Sequence, residues 1–171
     1  MKNCLVIIDM QNDFISGTLG TEEAKAIVPH VKSEIENAIS NGVDIFFTKD
    51  THYENYLETM EGKKLPVKHC IKGTWGHDIC DEIKPFEKNA KNIFIKETFG
   101  YKDLPKYLEN YDNITFIGLC TDICVISNIM LTKAFYPEKN IMVKKDCCAG
   151  VTIENHNSAL AVMKSCHIDI L

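Results

Sequence analysis

The sequence predicts one three-layer α/β/α domain built on a six-stranded, mostly parallel sheet, and three observations lead there. Six short β-branched runs recur along the chain. They are apolar almost throughout instead of at alternate positions, as expected of strands covered on both faces. Helical patterns lie between several of them, and strand–helix alternation with buried strands implies parallel pairing with helices on either side.

In order, the first strand is "CLVIID" (4–9). Over 22–40, Ala26, Ile27, Val31, Ile35, Ala38 and Ile39 fall at helical spacing, with Thr21 as N-cap and "NG" as the stop. The strand "VDIFFTK" (43–49) comes next, followed by a long insertion, "DTHYENYLETMEGKKLPVKHCIKGTWGHDIC" (50–80). Long loops in compact domains are usually functional. The remaining strands are "NIFIK" (92–96), "NITFIG" (113–118), "NIMVKK" (140–145) and "CHIDIL" (166–171), with helices expected over 103–110, 122–135 and 155–165. Thr121 or Asp122 is the expected cap of the 122–135 helix. No repeat, linker or low-complexity segment divides residues 1–171, so a single domain is expected.

Composition narrows the function. A formal charge of −5 disfavours nucleic acid and anionic membranes as partners. The apolar run at the start is short and ends at Asp9 without a small-residue cleavage site, and no stretch approaches the roughly 18 apolar residues of a membrane span. A cytoplasmic location is therefore expected. The eight cysteines mostly sit in apolar runs, where a free thiol acts as a small hydrophobe, so a disulfide scaffold is not expected.

In parallel sheets ligands bind at the carboxyl ends of strands, near the switch in strand order. Here those ends are reactive: Asp9, then Lys49 and Asp50, then Lys96, then Gly118 before Cys120 and Cys124. Singly, each has an ordinary reading as a cap, a solvated cation or core. Together they describe acyl transfer. Cys124 falls on the first turn of a helix, whose unpaired N–H groups lower a thiol pKa and bind an oxyanion. Asp9 can take the thiol proton, Lys96 can hold the thiolate–acid pair, and the N–H groups of Cys120 and Cys124 can form an oxyanion hole. A redox pair at 120 and 124 is a competing reading, although redox pairs are typically C-x-x-C and this spacing is C-x-x-x-C. A non-catalytic binding module is a third.

Five pieces, "VIIDMQNDF", "FFTKDTH", "LPVKHCIKGTWG", the lysine ending "NIFIK", and "GLCTDICV", occur in an order and spacing that resemble the cysteine hydrolases of the isochorismatase-like superfamily, which includes the nicotinamidases. The resemblance spans almost the whole chain and implies the Rossmann-like fold of that superfamily. It implies Asp9 as base, Lys96 as its partner, Cys124 as nucleophile and a cis peptide at Leu119–Cys120. The superfamily branch that acts on isochorismate lacks the cysteine, so Cys124 favours hydrolysis of a small-molecule C–N amide. Nicotinamide is the leading substrate, with maleamate, ureidoacrylate and N-carbamoyl compounds as alternatives.

The resemblance also gives the insertion a purpose. Asp50, His52 and His69 supply one carboxylate and two imidazoles, a set that suits a divalent metal, zinc being the expected ion. Glu61, or else Glu58, is the candidate fourth ligand. Phe14 and Leu119 are the expected substrate contacts, and a homo-oligomer of unspecified order is expected. One departure stands out: relatives place an aromatic about three residues before the second histidine, where this chain has Leu65–Pro66. Trp75 lies beyond it, and Phe99 or Tyr101 are the candidate substitutes. Cys147 and Cys148 read as packing residues, His30 as solvated, and His77, His156 and His167 as surface or helix-end residues.

Overall fold

The computed structural model describes Met1–Leu171. Its single sheet has six strands, all parallel, in the order β3-β2-β1-β4-β5-β6. The strands are β1 (Asn3–Ile8), β2 (Asp44–Asp50), β3 (Asn92–Lys96), β4 (Asn113–Leu119), β5 (Asn140–Ala149) and β6 (Asp169–Ile170). Strand order reverses between β1 and β4, which opens a crevice at their carboxyl ends. No helix is long and apolar enough to cross a membrane.

The side-chain period of two divides the core between the two faces of the sheet. Leu5, Ile7, Ile45 and Phe47 pack with Ile27, Val31 and Ile35 of helix α2 (Glu22–Ser40). Cys4, Val6, Ile8 and Phe46 face the opposite way. They meet Leu104 and Leu108 of α4 (Leu104–Leu108), Ile129 of α5 (Ile126–Phe135) and Ala159 and Met163 of α6 (Ile153–Ser165). Two short helices complete the set, α1 (Asn12–Ile15) and α3 (Met60–Lys64). In α2 the Thr21 side chain accepts from the Ala24 N–H at 3.0 Å, and Gly42 takes φ +67° just past the last turn, as the sequence predicts.

Several details differ from the sequence reading. β5 continues past 145 because its pairing with β4 breaks at a bulge and resumes at Gly118–Cys148 and Leu119–Ala149. Cys147 and Cys148 therefore lie inside the strand, buried as packing residues. The last strand shrinks to two residues because Cys166 caps α6 and His167 turns the chain at φ +61°. Ala26 is exposed on α2, and Val28 takes its place in the buried stripe.

Candidate active site

Four adjacent strands deliver their ends to one place. β1 stops at Ile8, and Asp9 takes φ +47°, a left-handed conformation that Asp tolerates better than most residues. Beside it β4 can pass only because residue 118 is glycine. It sits at φ +115°, and a Cβ there would come within 2.1 Å of the Ile8 carbonyl oxygen. Asp50 and Lys96 are register partners on β2 and β3.

Lys96 is the centre of this arrangement. Its Nζ lies 2.6 Å from Asp9 Oδ2, 3.0 Å from Asp50 Oδ1 and 3.4 Å from Cys124 Sγ. The lysine is 1% exposed, Asp9 0% and Cys124 5%, so the trio is shielded from water. The other Asp9 oxygen accepts from the Thr48 hydroxyl at 2.6 Å, leaving Oδ2 for the ion pair alone. Burial pushes the Asp9 carboxyl above its usual range against the pull of Lys96. Burial pulls the Lys96 ammonium down, but the negative groups of Asp9, Cys124 and Asp50 prevail and hold it well above its ordinary value.

The thiol corrects a sequence expectation. Its helix-start position was expected to lower its pKa, yet burial dominates over Lys96 and pushes Cys124 well up. Burial thus favours the protonated form of this thiol.

The expected cap also differs. After the cis Leu119–Cys120 peptide the chain enters a π-helical turn, Thr121–Val125, before α5 begins. Neither Thr121 nor Asp122 caps it with a side-chain bond. Asp122 accepts instead from the Val151 N–H at 3.0 Å, and the Thr121 hydroxyl meets His156 Nδ1 at 2.8 Å. The Cys120 carbonyl accepts from Ile123 and Val125, while the Cys120 N–H finds no acceptor in the chain.

A few ångströms along the same crevice, ligand atoms of Asp50, His52, Glu61 and His69 all lie within 4.8 Å of one another. His52 Nε2 is 3.0 Å from Asp50 Oδ2 and 3.6 Å from Glu61 Oε1, and His69 Nε2 is 3.7 and 3.5 Å from the same two atoms. His52 Nε2 is buried with no hydrogen-bond partner, a costly state that a cation relieves. His69 Nδ1 bonds the Val67 carbonyl at 2.8 Å, which leaves Nε2 for the centre. These residues fit a divalent ion and form a candidate metal site. Of the two glutamates, Glu61 joins the cluster and Glu58 does not.

Side chains that the sequence reading passed over hold these ligands. Gln11 donates to the Asp50 and His77 carbonyls at 2.8 and 2.9 Å and accepts from the Asp50 N–H at 2.7 Å. Asp13 accepts from the Cys70 N–H at 2.8 Å, fixing the residue after His69 in its φ +46° conformation. Tyr56 is fully buried, bonds the Leu65 carbonyl at 2.9 Å and packs edge-on against both imidazoles. Gln11 and Asp13 lie inside "DMQNDF", and the polar triplet Gln11–Asn12–Asp13 soon after a buried strand was the available signal. His77 is no surface residue: it is buried, with Nε2 2.9 Å from the Thr51 hydroxyl. His156 is half-buried for the same kind of reason, while His30 and His167 are exposed.

The thiol and the metal cluster share a cavity of ≈ 740 Å³. Phe14, Leu119, Cys120 and Cys124 line it. Leu65 stands in its wall where an aromatic was looked for. Phe99 also lines the wall, but Tyr101 stacks on Phe94 and Trp75 points away at 57% exposure.

This fold and site define a parallel α/β protein with a buried Cys–Lys–Asp constellation beside a candidate metal-ligand cluster. The chain belongs to the isochorismatase family: residues 3–171 match the isochorismatase domain. The crystal structure of the nicotinamidase from Bacillus subtilis superposes with a TM-score of 0.85 at 28% identity, over 99% of each chain. The pyrazinamidase of Pyrococcus horikoshii, crystallised in complex with zinc, gives 0.82 at 26% identity over 100% of this chain and 99% of that one. The ureidoacrylate amidohydrolase of Agrobacterium fabrum is 24% identical over 167 residues, 80% of this chain and 71% of its own.

Proposed function

We propose that this protein hydrolyses the C–N bond of a small amide through a cysteine thioester, with nicotinamide as the leading substrate. The observation that supports this most is Lys96 Nζ held between Asp9 at 2.6 Å and Cys124 at 3.4 Å in a water-excluded site.

In this reading Asp9, its pKa raised by burial, accepts the Cys124 proton as the sulfur attacks the amide carbonyl. Lys96 keeps its charge throughout and stabilises both the carboxylate and the developing thiolate. The carbonyl oxygen becomes an anion received by the N–H groups of Cys120 and Cys124. Asp9 then returns its proton to the nitrogen, the C–N bond breaks and ammonia leaves. Water, deprotonated by the same carboxylate, attacks the thioester; the acid is released and Cys124 regains its proton. Asp50, His52, His69 and Glu61 would hold a divalent ion, expected to be zinc, which supplies a Lewis-acid contact for a ring nitrogen. Phe14 and Leu119 bound the substrate on the cavity wall.

Leu65 favours a second reading. With an aliphatic group in the cavity wall where relatives place an aromatic, the ring stack that a pyridine prefers is weakened, which suits an acyclic amide such as a ureidoacrylate, maleamate or N-carbamoyl compound equally well. Ammonia release measured over nicotinamide, pyrazinamide, maleamate, ureidoacrylate and N-carbamoyl substrates tests both. Turnover of nicotinamide above the others supports the first. Preference for an acyclic amide replaces it with the second, and release from none of them overturns the amidase reading.

A further inference from the structure

The loop between β5 and α6 is fastened to the turn that bears Cys120 and Cys124, on the side away from Lys96's strand. His156 Nδ1 meets the hydroxyl of Thr121, itself fully buried, at 2.8 Å. One residue on, Asp122 Oδ1 accepts from the Val151 N–H at 3.0 Å. Between these two bonds the loop has no slack: a Cβ at Gly150 would lie 2.8 Å from the His156 nitrogen and 3.0 Å from Asp122 Oδ1. His156 is fixed in turn by its own N–H, which donates to the Thr152 carbonyl at 2.9 Å in the first turn of α6.

Consecutive residues anchored in this way hold the peptide planes of the turn in one orientation. The Cys120 N–H, with no acceptor in the chain, immediately precedes the anchored Thr121, and Cys120 lines the cavity. We propose that His156 is a positioning residue for the oxyanion turn, acting through Thr121 to aim the Cys120 N–H at the reacting carbonyl. It touches no substrate. The proposal rests on the amidase reading above, and the loop it assigns to the turn also supplies Gly150 and Val151 to the cavity wall. A threonine hydroxyl both donates and accepts, so it serves either tautomer of a neutral imidazole.

Misplacing an oxyanion donor lowers the rate of acyl transfer while substrate binding persists. His156→Ala is therefore expected to reduce kcat by about ten- to a hundredfold with KM within about twofold. His156→Asn, whose amide reaches the Nδ1 position, should recover most of the loss. Thr121→Val keeps the shape, removes the hydroxyl and should repeat the alanine phenotype. Native-state hydrogen exchange provides a readout independent of turnover: the amides of 121–125 should exchange at least about tenfold faster in His156→Ala and return to the wild-type rate in His156→Asn. Unchanged exchange in His156→Ala and Thr121→Val overturns the proposal, as does a kcat loss that asparagine fails to restore. If the wild-type protein cleaves no amide, the amidase reading falls, and the exchange rates alone decide whether His156 braces the turn.

Discussion

The two halves of the crevice are built by different means. Asp9 and Lys96 sit at or just beyond strand ends, where the ladder of parallel hydrogen bonds sets their spacing, and Cys124 follows on the π-helical turn after β4. The candidate metal ligands begin on β2 with Asp50, but His52, Glu61 and His69 belong to a segment without strands. Gln11, Asp13, Tyr56 and two backbone bonds between His52 and the 70–72 stretch set their spacing. A sheet places groups chiefly through its backbone register. A loop needs a dedicated polar or aromatic partner for nearly every ligand.

Replacing the thiol should separate the halves most sharply. Cys124→Ala is expected to lower amide turnover by at least about a thousandfold while circular dichroism and metal stoichiometry stay unchanged. Activity above about a tenth of wild type would end the assignment of Cys124 as nucleophile.

Asp9→Asn and Lys96→Ala should be nearly as severe in rate, and the double variant no worse than either, because the groups act as a unit. Lys96→Ala should also destabilise the fold by about 3–5 kcal/mol, since it leaves Asp9 and Asp50 buried without their cation. Denaturant midpoints measure this. A stability loss equal in Asp9→Asn and Lys96→Ala would deny the lysine its central place.

On the loop side, His52→Ala or chelation is expected to remove one divalent ion per chain, raise KM for nicotinamide far more than it lowers kcat, and lower the wild-type Tm. A further drop in Tm when chelator is added to His52→Ala would show that the ion binds elsewhere.

The smallest effect concerns His77, which packs under the loop. Burial, with Lys49 second, holds its imidazole below the ordinary pKa, against Asp78 and Asp50. The unfolded chain, titrating near 6.5, then binds more protons than the folded one. The contribution is full above about pH 6.5 and is lost as pH falls through the depressed value. It cannot exceed about 1.4 kcal/mol per pH unit, because a single proton is involved. Stability of His77→Asn should accordingly fall less between pH 7 and 5 than that of wild type; parallel curves would contradict the buried neutral histidine.

The same division explains what could be read from the sequence. Continuous apolar strands reveal parallel order, and parallel order alone brings Asp9, Asp50, Lys96 and Cys120 to one edge. Asp50, His52 and His69 were legible as a ligand set only with the help of family resemblance, since D-x-H carries no three-dimensional information. The roles of Gln11, Thr48 and His156 were not legible: each depends on a contact tens of residues away that no local period encodes. The Cys124 pKa was misjudged because a helix start is a local feature, whereas burial is a property of the finished core. β5 was cut short because a bulge interrupts its hydrophobic pattern before pairing resumes.

The Gln11 bridge has a consequence for how this scaffold can change. The segment beyond Asp50 is attached to the sheet frame through a handful of joints: the Gln11 amide on Asp50 and His77, the Asp13 carboxylate on Cys70, and the Gln11–Ile79 bridge. None of these joints uses a side chain from between 53 and 68. Apart from Tyr56 and Glu61, which serve the ligand cluster, that stretch is thus an exchangeable cassette. New sequences grafted there can redraw the selectivity of the cavity mouth while the chemistry beneath keeps its registration, so evolution and engineering alike can explore substrates without rebuilding the engine.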